Sequence, residues 1–228
     1  ELDEDVREKI LKALSVKEIA DEIEELDSDD AADILGELSD QRKEEVISEI
    51  SDNNLADDLK ELLSYKEDSA GGLMAKELVQ ANENWSITKC LKEIKKQGEN
   101  VTRVHSIYVV DDKQKLIGRL SLKDLIISPA KNLIKDIYIP KVDSVNVYED
   151  GEEVAKIMSK YDLEAIPVVD NKKNLVGRIT IDDIVDFIKE EAEEDYLLAA
   201  GVQGDVEADD SIFELTKARL PWLFLGLV

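Results

Sequence analysis

The 228-residue sequence has few of the residues that bind metals through nitrogen or sulfur or that form covalent cross-links. Its one cysteine, Cys90, excludes an internal disulfide framework and fits a reducing compartment. Because Cys90 lies among apolar helix positions, we predict a small core residue. The one histidine, His105, has no cysteine or carboxylate at a ligand spacing, so we predict a surface residue.

Several catalytic and binding motifs are also missing. The sequence contains no Walker loop, nucleophile elbow or dinucleotide-binding glycine motif. None of its acidic runs has the glycine and glutamate positions of an EF-hand loop. It has no signal peptide, and it begins at Glu1 rather than at methionine. We therefore expect a fragment of a longer protein that is not an enzyme.

Basic residues are outnumbered, with 29 against 54 acids, which gives a net charge of −25. The imbalance is uneven along the chain: residues 1–68 carry −17, residues 69–185 are neutral and residues 186–214 carry −10. Such a surface repels nucleic-acid phosphates and attracts cations. We predict no nucleic-acid partner.

Residues 1–65 show an apolar pattern that recurs every twelve residues. Its members are Ile23, Leu35, Ile47 and Leu59, with a second series of Leu26, Leu38, Ile50 and Leu62. Ser28, Asp40 and Asp52 fall between the units, where helix caps or short turns are needed. Repeats this short predict single helices that stack into a small superhelix, with the acids on the solvent side.

A second repeat lies in the neutral middle. Ile107–Ile126 matches Ile166–Val185 at nine of twenty positions. Each copy predicts a strand, a polar turn at Asp111–Lys115 or Asp170–Asn174, a second strand and a helix. Another helix is predicted before each copy, over 87–96 and 151–160.

The C-terminal region begins with an acidic helix predicted from Asp183 to about Ala200, and a further helix is predicted from about Asp210. The chain ends in the apolar run Leu220–Val228. This run is shorter than the roughly 20 residues that a membrane span needs, so it could be a core helix end. Arg219 and Trp222 at its start favour the truncated beginning of a membrane helix.

The duplicated β-α-β-β-α order over about residues 74–189 resembles a pair of CBS domains. Three further stretches resemble the MgtE family of magnesium transporters: the acidic repeat around Asp29–Asp33, the sequence EDSAGGLM at Glu67–Met74, and ARLPWLFL at Ala218–Leu225. The resemblance implies that this chain is the cytosolic region of a homodimeric channel and lies on the cytoplasmic side of the plasma (inner) membrane. It also implies that the pore belongs to a transmembrane domain absent from this chain.

The expected fold class is α+β and multi-domain: an all-α superhelical domain, a tandem CBS pair and a C-terminal plug helix. We predict an acidic helical domain over 1–68, CBS domains over 69–130 and 131–189, and an acidic linker, plug helix and membrane start over 190–228. The homodimer is expected to form through the CBS pair. In this family the cytosolic domains close the pore when intracellular Mg²⁺ is high.

Magnesium takes oxygen ligands and is usually held by one or two carboxylates per ion, so a regulatory site needs acids from two surfaces rather than a tight motif. The resemblance places regulatory ions between the helical domain, the CBS pair and the plug. The matching candidates are Asp29, Asp33, Asp170, Asp182, Asp205, Glu207, Asp209 and Asp210. Individually, each is equally explained as a solvated surface charge.

A second ligand class is suggested by two copies of a CBS motif for the ribose and phosphate of adenosine nucleotides such as ATP. Its polar residues are Ser121, Asp124, Thr180 and Asp183. The alternative is that Ser121 and Thr180 are helix N-caps. Two function hypotheses besides magnesium sensing therefore stay open: an adenosine-nucleotide sensor that regulates a membrane protein, and an acidic protein-docking platform.

Overall fold

The computed structural model describes residues 4–98, 101 and 103–199. Two compact units result, Glu1–Ile181 and Asp182–Val228. Within the described residues no helix is both long enough and apolar enough to cross a membrane. The predicted helix from Asp210 and the predicted membrane start at Leu220–Val228 lie outside the described residues.

Short helices build the N-terminal helical domain. They are α1 (Glu4–Ala13), α2 (Val16–Ile23), α3 (Ser28–Gly36), α4 (Asp40–Glu49) and α5 (Asn53–Leu62). Helix α2 packs on α4 and α3 packs on α5. Helices two apart in sequence therefore pack on each other, which agrees with the predicted stacking of single helices.

The apolar repeat is buried with two exceptions. Ile23, Leu35 and Leu59 of the first series are buried, as are Leu38, Ile50 and Leu62 of the second. In α4, however, Val46 is fully buried while Ile47 is only partly buried. Leu26 remains 36% exposed. The prediction was wrong by one residue in α4.

The helix caps also differ by one residue from the prediction at two of three places. Asp52 is an N-cap as predicted, and its side chain accepts a hydrogen bond from the Asn54 amide. Asp27 and Ser39, however, hold the cap positions of α3 and α4, so that Ser28 and Asp40 are the first helical residues. Ser28 is fully buried because its hydroxyl is used in a contact outside the helical domain.

The first half of the predicted CBS pair spans residues 79–140. It contains β1 (Val79–Asn82), α6 (Ile87–Gln97), β2 (Ile107–Val110), β3 (Leu116–Leu120), α7 (Leu122–Ile127), a 3-10 turn (Ile134–Asp136) and β4 (Ile139–Pro140). The sheet order is β1-β2-β3-β4, with β1 parallel to β2 and the other pairs antiparallel. One core joins α6 to this sheet and includes the fully buried Cys90. The predicted core position of Cys90 is thus confirmed.

The second half spans residues 145–180. It contains β5 (Val145–Asn146), α8 (Gly151–Tyr161), β6 (Ala165–Val169) and β7 (Leu175–Thr180), and α9 (Ile181–Ala199) follows it. The sheet order is β5-β6-β7, with β5 parallel to β6. The predicted strand-turn-strand-helix order and the predicted preceding helices are confirmed in both halves.

The two halves meet through their equivalent hairpin turns. The Leu116 amide donates to the Lys173 carbonyl at 3.0 Å, and the Leu175 amide donates to the Gln114 carbonyl at 3.1 Å. Gln114 and Lys173 are equivalent in the repeat, and both have a positive φ, of 64° and 69°. The reciprocal bonds give the pair a local pseudo-twofold relation.

His105 lies close to the same contact between the halves. Its side chain is only 10% exposed, and Nδ1 lies 3.8 Å from Oε2 of Glu164, the equivalent residue of the second half. The predicted surface position was therefore wrong. His105 lies just before β2, and its burial depends on the packing of the other half, which a single-sequence pattern does not reveal.

Candidate functional site

The predicted magnesium ligands on the helical domain share one face of α3. Asp29 and Asp33 stand one turn apart; Asp33 is exposed and Asp29 is partly buried. One oxygen of Asp29 accepts a hydrogen bond from the Asp30 amide at 3.0 Å. The two carboxylates therefore share one face of α3, and their role as magnesium ligands remains a prediction.

Asp170 is built into the turn between β6 and β7. Its Oδ1 accepts hydrogen bonds from the Lys172 and Asn174 amides, and its Oδ2 accepts one from Nδ2 of Asn174 at 2.8 Å. Desolvation opposes ionisation, but the bonds from Asn174 and Lys172 outweigh it and lower the pKa of Asp170. The residue stays charged while it stabilises the turn.

The remaining predicted ligands follow the second half. Asp182 lies in the first turn of α9, and Asp205, Glu207, Asp209 and Asp210 lie outside the described residues. In the part of the chain that the structure describes, no group of three or more acidic, histidine or cysteine side chains is arranged to hold a metal ion. A site of one or two carboxylates and several waters does not require such a group, so the magnesium ligands remain a prediction.

The two copies of the nucleotide motif differ in their surroundings. Ser121 occupies the N-cap position of α7, but its hydroxyl makes no capping hydrogen bond, and Asp124 follows in the first turn. Thr180 ends β7 and is only 4% exposed, and Asp183 lies in the first turn of α9. The second copy thus begins on a buried strand, two residues after Arg178, which lines a small cavity.

This cavity has a volume of about 10 Å³, which is room for about one water molecule. Its walls comprise Leu78, Val79, Val101, Arg103, Val104, His105, Ser106, Tyr108 and Arg178. The Tyr108 hydroxyl and His105 Nδ1 are buried with no hydrogen-bond partner among the described residues. Arg178 stands two residues before Thr180 on β7, so both side chains lie on the same face of that strand.

The helical domain contacts the second half through a set of polar residues that we call the joint. Its members are Asp27, Ser28, Asp58, Glu61, Lys76, Glu77 and Arg178. The Glu77 carboxylate accepts hydrogen bonds from the Ser28 amide at 3.1 Å and the Ser28 hydroxyl at 2.8 Å. The Lys76 amide in turn donates to the Ser28 hydroxyl at 2.8 Å. Glu77 thereby caps α3 from outside the domain, where an anion is stabilised by unpaired amides and the helix dipole.

Two basic side chains complete the joint. Arg178, from β7, donates through Nε to the Glu77 carbonyl at 2.6 Å and lies 3.6 Å from the Asp27 carboxylate. Lys76 Nζ lies 2.8 Å from the Glu61 carboxylate on α5. Both basic side chains are largely buried, with exposures of 9% and 11%. Paired charges in such a setting are screened less than charges on an open surface.

Asp58 adds another carboxylate to the joint. Desolvation raises the pKa of Asp58 most, Lys76 opposes the rise, and the negative charges of Glu61 and Glu77 add to it. Ionised Asp58 is therefore less favourable in the folded chain than in the unfolded one. The joint contains more carboxylates than basic groups, and Lys76 is the cation that offsets this excess around Asp58.

The segment Glu67–Met74 and the residue after it pair with the second half. The Ala70 amide donates to the Glu149 carbonyl at 2.7 Å, and the Gly71 amide donates to the Val147 carbonyl at 2.8 Å. Ala75 exchanges backbone hydrogen bonds with Arg178. The segment was predicted from the sequence, but the contacts of Ser28, Glu77 and Arg178 were not, because they join residues far apart along the chain: Ser28 and Glu77 are 49 residues apart, and Glu77 and Arg178 are 101 apart. The pairing of Lys76 with Glu61 was also missed.

Comparison with known proteins matches this architecture in two parts. Residues 1–68 match the MgtE intracellular N domain, and residues 70–130 and 134–190 match the CBS domain. The fold and the joint thus define a class of protein in which a helical domain is docked on a tandem CBS pair. The sequence is 38% identical over 176 residues to the magnesium transporter MgtE of Enterococcus faecalis, covering 75% of this chain. The chain belongs to the MgtE family of magnesium transporters, and the resemblance drawn from its motifs is confirmed.

Solved structures agree with the assignment. The soluble part of a magnesium transporter matches with a TM-score of 0.77 and 34% identity, over 84% of this chain and 75% of the other. The cytosolic domain of the Mg²⁺ channel MgtE in complex with ATP matches with a TM-score of 0.75 and 34% identity, over 82% and 76%. The predicted α+β fold class is confirmed. The chain spans about two fifths of the length of the curated relatives it matches.

Proposed function

We propose that this chain is the cytosolic Mg²⁺-sensing region of a magnesium channel and that it closes the pore when intracellular Mg²⁺ is high. The observation that carries the proposal is the acidic surface of the helical domain. Its exposed acids are Glu18, Asp21, Glu22, Glu24, Glu25, Asp30, Asp33, Glu37, Asp40, Glu44, Glu45, Glu49, Asp52 and Asp57. Family membership supplies the transported ion, and the excess of carboxylates supplies a means to sense it.

The physical basis is repulsion between carboxylates. Two carboxylates about 4 Å apart repel by roughly 1 kcal/mol in water and by about 4 kcal/mol at an effective dielectric constant of about 20. A divalent cation that binds between such groups removes this repulsion. Acidic surfaces of the molecule are therefore expected to approach each other when Mg²⁺ is bound and to separate when it is lost.

The energetics favour several weak sites. Moving a two-state element from 1:99 to 99:1 takes about 5.5 kcal/mol. One site present only in the closed state contributes about 1.4 kcal/mol at about ten times its dissociation constant. Roughly four such sites would be needed, which agrees with scattered acids better than with one strong site. The closing response to Mg²⁺ would then be steep.

Limited proteolysis at constant ionic strength tests the proposal. We expect millimolar Mg²⁺ to slow cleavage of this chain and K⁺ to have no such effect. The double variant Asp29→Asn with Asp33→Asn should need more Mg²⁺ for the same protection. Asp143→Asn, an exposed acid of the linker between β4 and β5, serves as the control. Equal cleavage with Mg²⁺ and with chelator would contradict the proposal.

A homodimer is part of the proposal. Helix α7 exposes Leu122, Ile126 and Ile127 by 48%, 65% and 68%. The repeat equivalents of the first two, Ile181 and Val185, are also exposed. We propose that a second copy of the chain covers these apolar side chains. Light scattering should then give a dimer for the native chain and a monomer for Ile126→Glu, and a native monomer would exclude it.

A second candidate function is the binding of an adenosine nucleotide by the CBS pair. It is favoured by the ATP complex of the related MgtE cytosolic domain. Calorimetry with ATP tests it: Asp183→Ala should abolish binding, and Asp124→Ala should leave it unchanged. Protection from proteolysis by ATP but not by Mg²⁺ would make the nucleotide the primary ligand.

A further inference from the structure

Helix α6 carries a row of exposed basic side chains, which are Lys89, Lys92, Lys95 and Lys96. Residues three, four and seven apart share one face of a helix, so these lysines lie together, opposite the side that packs into the core of the first half. Within the described residues, no ion pair involves them. The helix dipole accounts for lysines in the last turn, but not for Lys89 in the first turn or for Lys92 in the middle.

The equivalent helix of the second half, α8, has the same length but a balanced charge. Its two lysines stand at the places of two α6 lysines, Lys156 at that of Lys92 and Lys160 at that of Lys96. In α8, Lys156 is paired with Glu152 and Glu153, and α6 has Thr88 and Lys89 at the places of these two acids. One copy of the helix therefore neutralises its own lysines, whereas the other leaves them available to a partner.

The linker that follows α7 adds two more lysines beside the start of α6. The Ile87 amide donates to the Asn132 carbonyl at 3.2 Å, and Lys131 and Lys135 in this part of the linker are exposed. We call these two lysines and the four of α6 the basic surface. The first half holds 11 basic and seven acidic residues, a net charge of +4, whereas the second half holds five and seven, a net charge of −2. In a chain with a net charge of −25, this half is therefore the exception.

We propose that the basic surface binds anionic lipid headgroups on the cytoplasmic face of the membrane. This inference rests on the proposed function in one respect, which is that the chain is held beside a bilayer. Each lysine close to an anionic bilayer strengthens binding about fivefold. The attraction acts over about one Debye length, roughly 8 Å at physiological salt. A membrane therefore responds to the surface that faces it rather than to the net charge of the chain.

The side chains of this surface favour lipid over an acidic protein as the partner. Leu91 is 41% exposed among the lysines, and Nζ of Lys89 lies 4.7 Å from the ring centroid of Trp85, which is only partly buried. Lysines with apolar side chains at their base are typical of surfaces that lie among lipid headgroups. Arginine is preferred where carboxylates are held by two parallel hydrogen bonds, and α6 contains none. Lysine binds phosphate as a point charge.

Co-sedimentation of the 228-residue chain with vesicles, in chelator, tests the inference. We expect tighter binding to vesicles of phosphatidylglycerol and phosphatidylcholine than to phosphatidylcholine alone. The difference should disappear at about 1 M salt, where the Debye length falls to about 3 Å. Lys92→Gln with Lys96→Gln should weaken binding to the anionic vesicles roughly 25-fold, because two lysines contribute about fivefold each. Lys92→Arg with Lys96→Arg keeps both charges and should bind like the native chain.

The matched control is Lys156→Gln with Lys160→Gln on α8. It removes the same charge from equivalent places outside the basic surface, so it should bind vesicles like the native chain. Far-ultraviolet circular dichroism checks that each variant keeps its helices. Equal weakening by both glutamine pairs, or equal binding of the native chain to anionic and neutral vesicles, overturns the inference. So does a glutamine pair on α6 that weakens association between copies in light scattering but leaves vesicle binding unchanged, because the partner is then an acidic protein surface.

Protection from proteolysis by Mg²⁺, measured without vesicles, separates this inference from magnesium sensing. The α6 glutamine pair should be protected like the native chain, because the basic surface contributes no carboxylate. A negative vesicle result therefore leaves magnesium sensing intact, and a native chain that Mg²⁺ does not protect still binds anionic vesicles.

Discussion

The two halves of the CBS pair have equivalent strands but different partners. Gly118 and Arg119 on β3 pair with β4, which comes from the first half's own linker. Their equivalents, Gly177 and Arg178 on β7, accept Ala75 from the segment that leads out of the helical domain. Arg119 is exposed, whereas Arg178 is 7% exposed.

This difference shows how a duplicated sequence acquires an asymmetric function. In each half a short segment from outside the repeated strands pairs with the second strand of the hairpin. In the first half this segment is β4, from the linker between the halves, and in the second half it is Ala75, from the segment that follows the helical domain. The same arginine is therefore a surface residue in one copy and a docking residue in the other.

The largest effect on stability is expected when the glycines of these strands, Gly118 and Gly177, are substituted. A Cβ on Gly177 would lie 2.6 Å from the Met74 sulfur and 2.8 Å from the Ala75 carbonyl oxygen. Gly177→Ala should cost about 1–3 kcal/mol through overpacking and release the helical domain. Gly118→Ala crowds the Ile139 carbonyl instead, so it should destabilise the first half while the helical domain stays docked. Proteolysis followed by mass spectrometry separates these outcomes, and the same fragments from both variants would contradict the comparison.

Substitution of the two equivalent arginines should give the next largest difference in the free energy of unfolding. Arg178→Ala removes a largely buried partner of Asp27 and of the Glu77 carbonyl, so we expect a loss of about 1–3 kcal/mol in the free energy of unfolding. Arg119→Ala changes an exposed side chain and should stay within about 0.5 kcal/mol. Urea unfolding of the two variants checks this. An equal loss would mean that the joint contributes little.

Substitution of the serines at the starts of α3 and α4 tests whether Glu77 caps α3. Ser28→Ala removes the hydroxyl that binds Glu77 and the Lys76 amide, and it should cost about 1–2 kcal/mol. Ser39→Ala, at the start of α4, removes a hydroxyl that makes no capping bond, so it should cost only a few tenths of the loss expected for Ser28→Ala. Thermal unfolding measures both variants. A larger loss for Ser39→Ala would argue against Glu77 as the cap of α3.

The smallest effect concerns the turn aspartates and depends on pH. Both Oδ atoms of Asp170 accept hydrogen bonds, including one from Asn174 Nδ2, whereas the bonds that Asp111 accepts from the Lys113 and Lys115 amides both use Oδ1. Asp170→Asn should therefore cost about 1 kcal/mol, and Asp111→Asn should cost less. Because hydrogen bonds lower the pKa of Asp170, its stabilisation is present above the unfolded pKa of about 3.9 and is lost as the pH falls through the folded value. Unfolding at neutral pH and near pH 3 checks both points, and a pH-independent difference would contradict the cause.

Local patterns in the sequence predicted the fold well. The helices and strands could be predicted from the twelve-residue repeat and from the 59-residue offset between Ile107–Ile126 and Ile166–Val185. Each repeated element buries one apolar face, so its apolar residues recur at the same positions. The errors at Ser28 and His105 have a different origin. Both residues are buried by contacts with another part of the chain, and single-sequence periodicity carries no information about those contacts. The joint residues Lys76 and Glu77 were missed for the same reason.

Small-angle scattering of this chain in chelator and in millimolar Mg²⁺, at matched ionic strength, tests the proposed function most directly. We expect a smaller radius of gyration with Mg²⁺ than in chelator. Identical scattering curves with and without Mg²⁺ would contradict the proposal that neutralised carboxylates control the shape of this region.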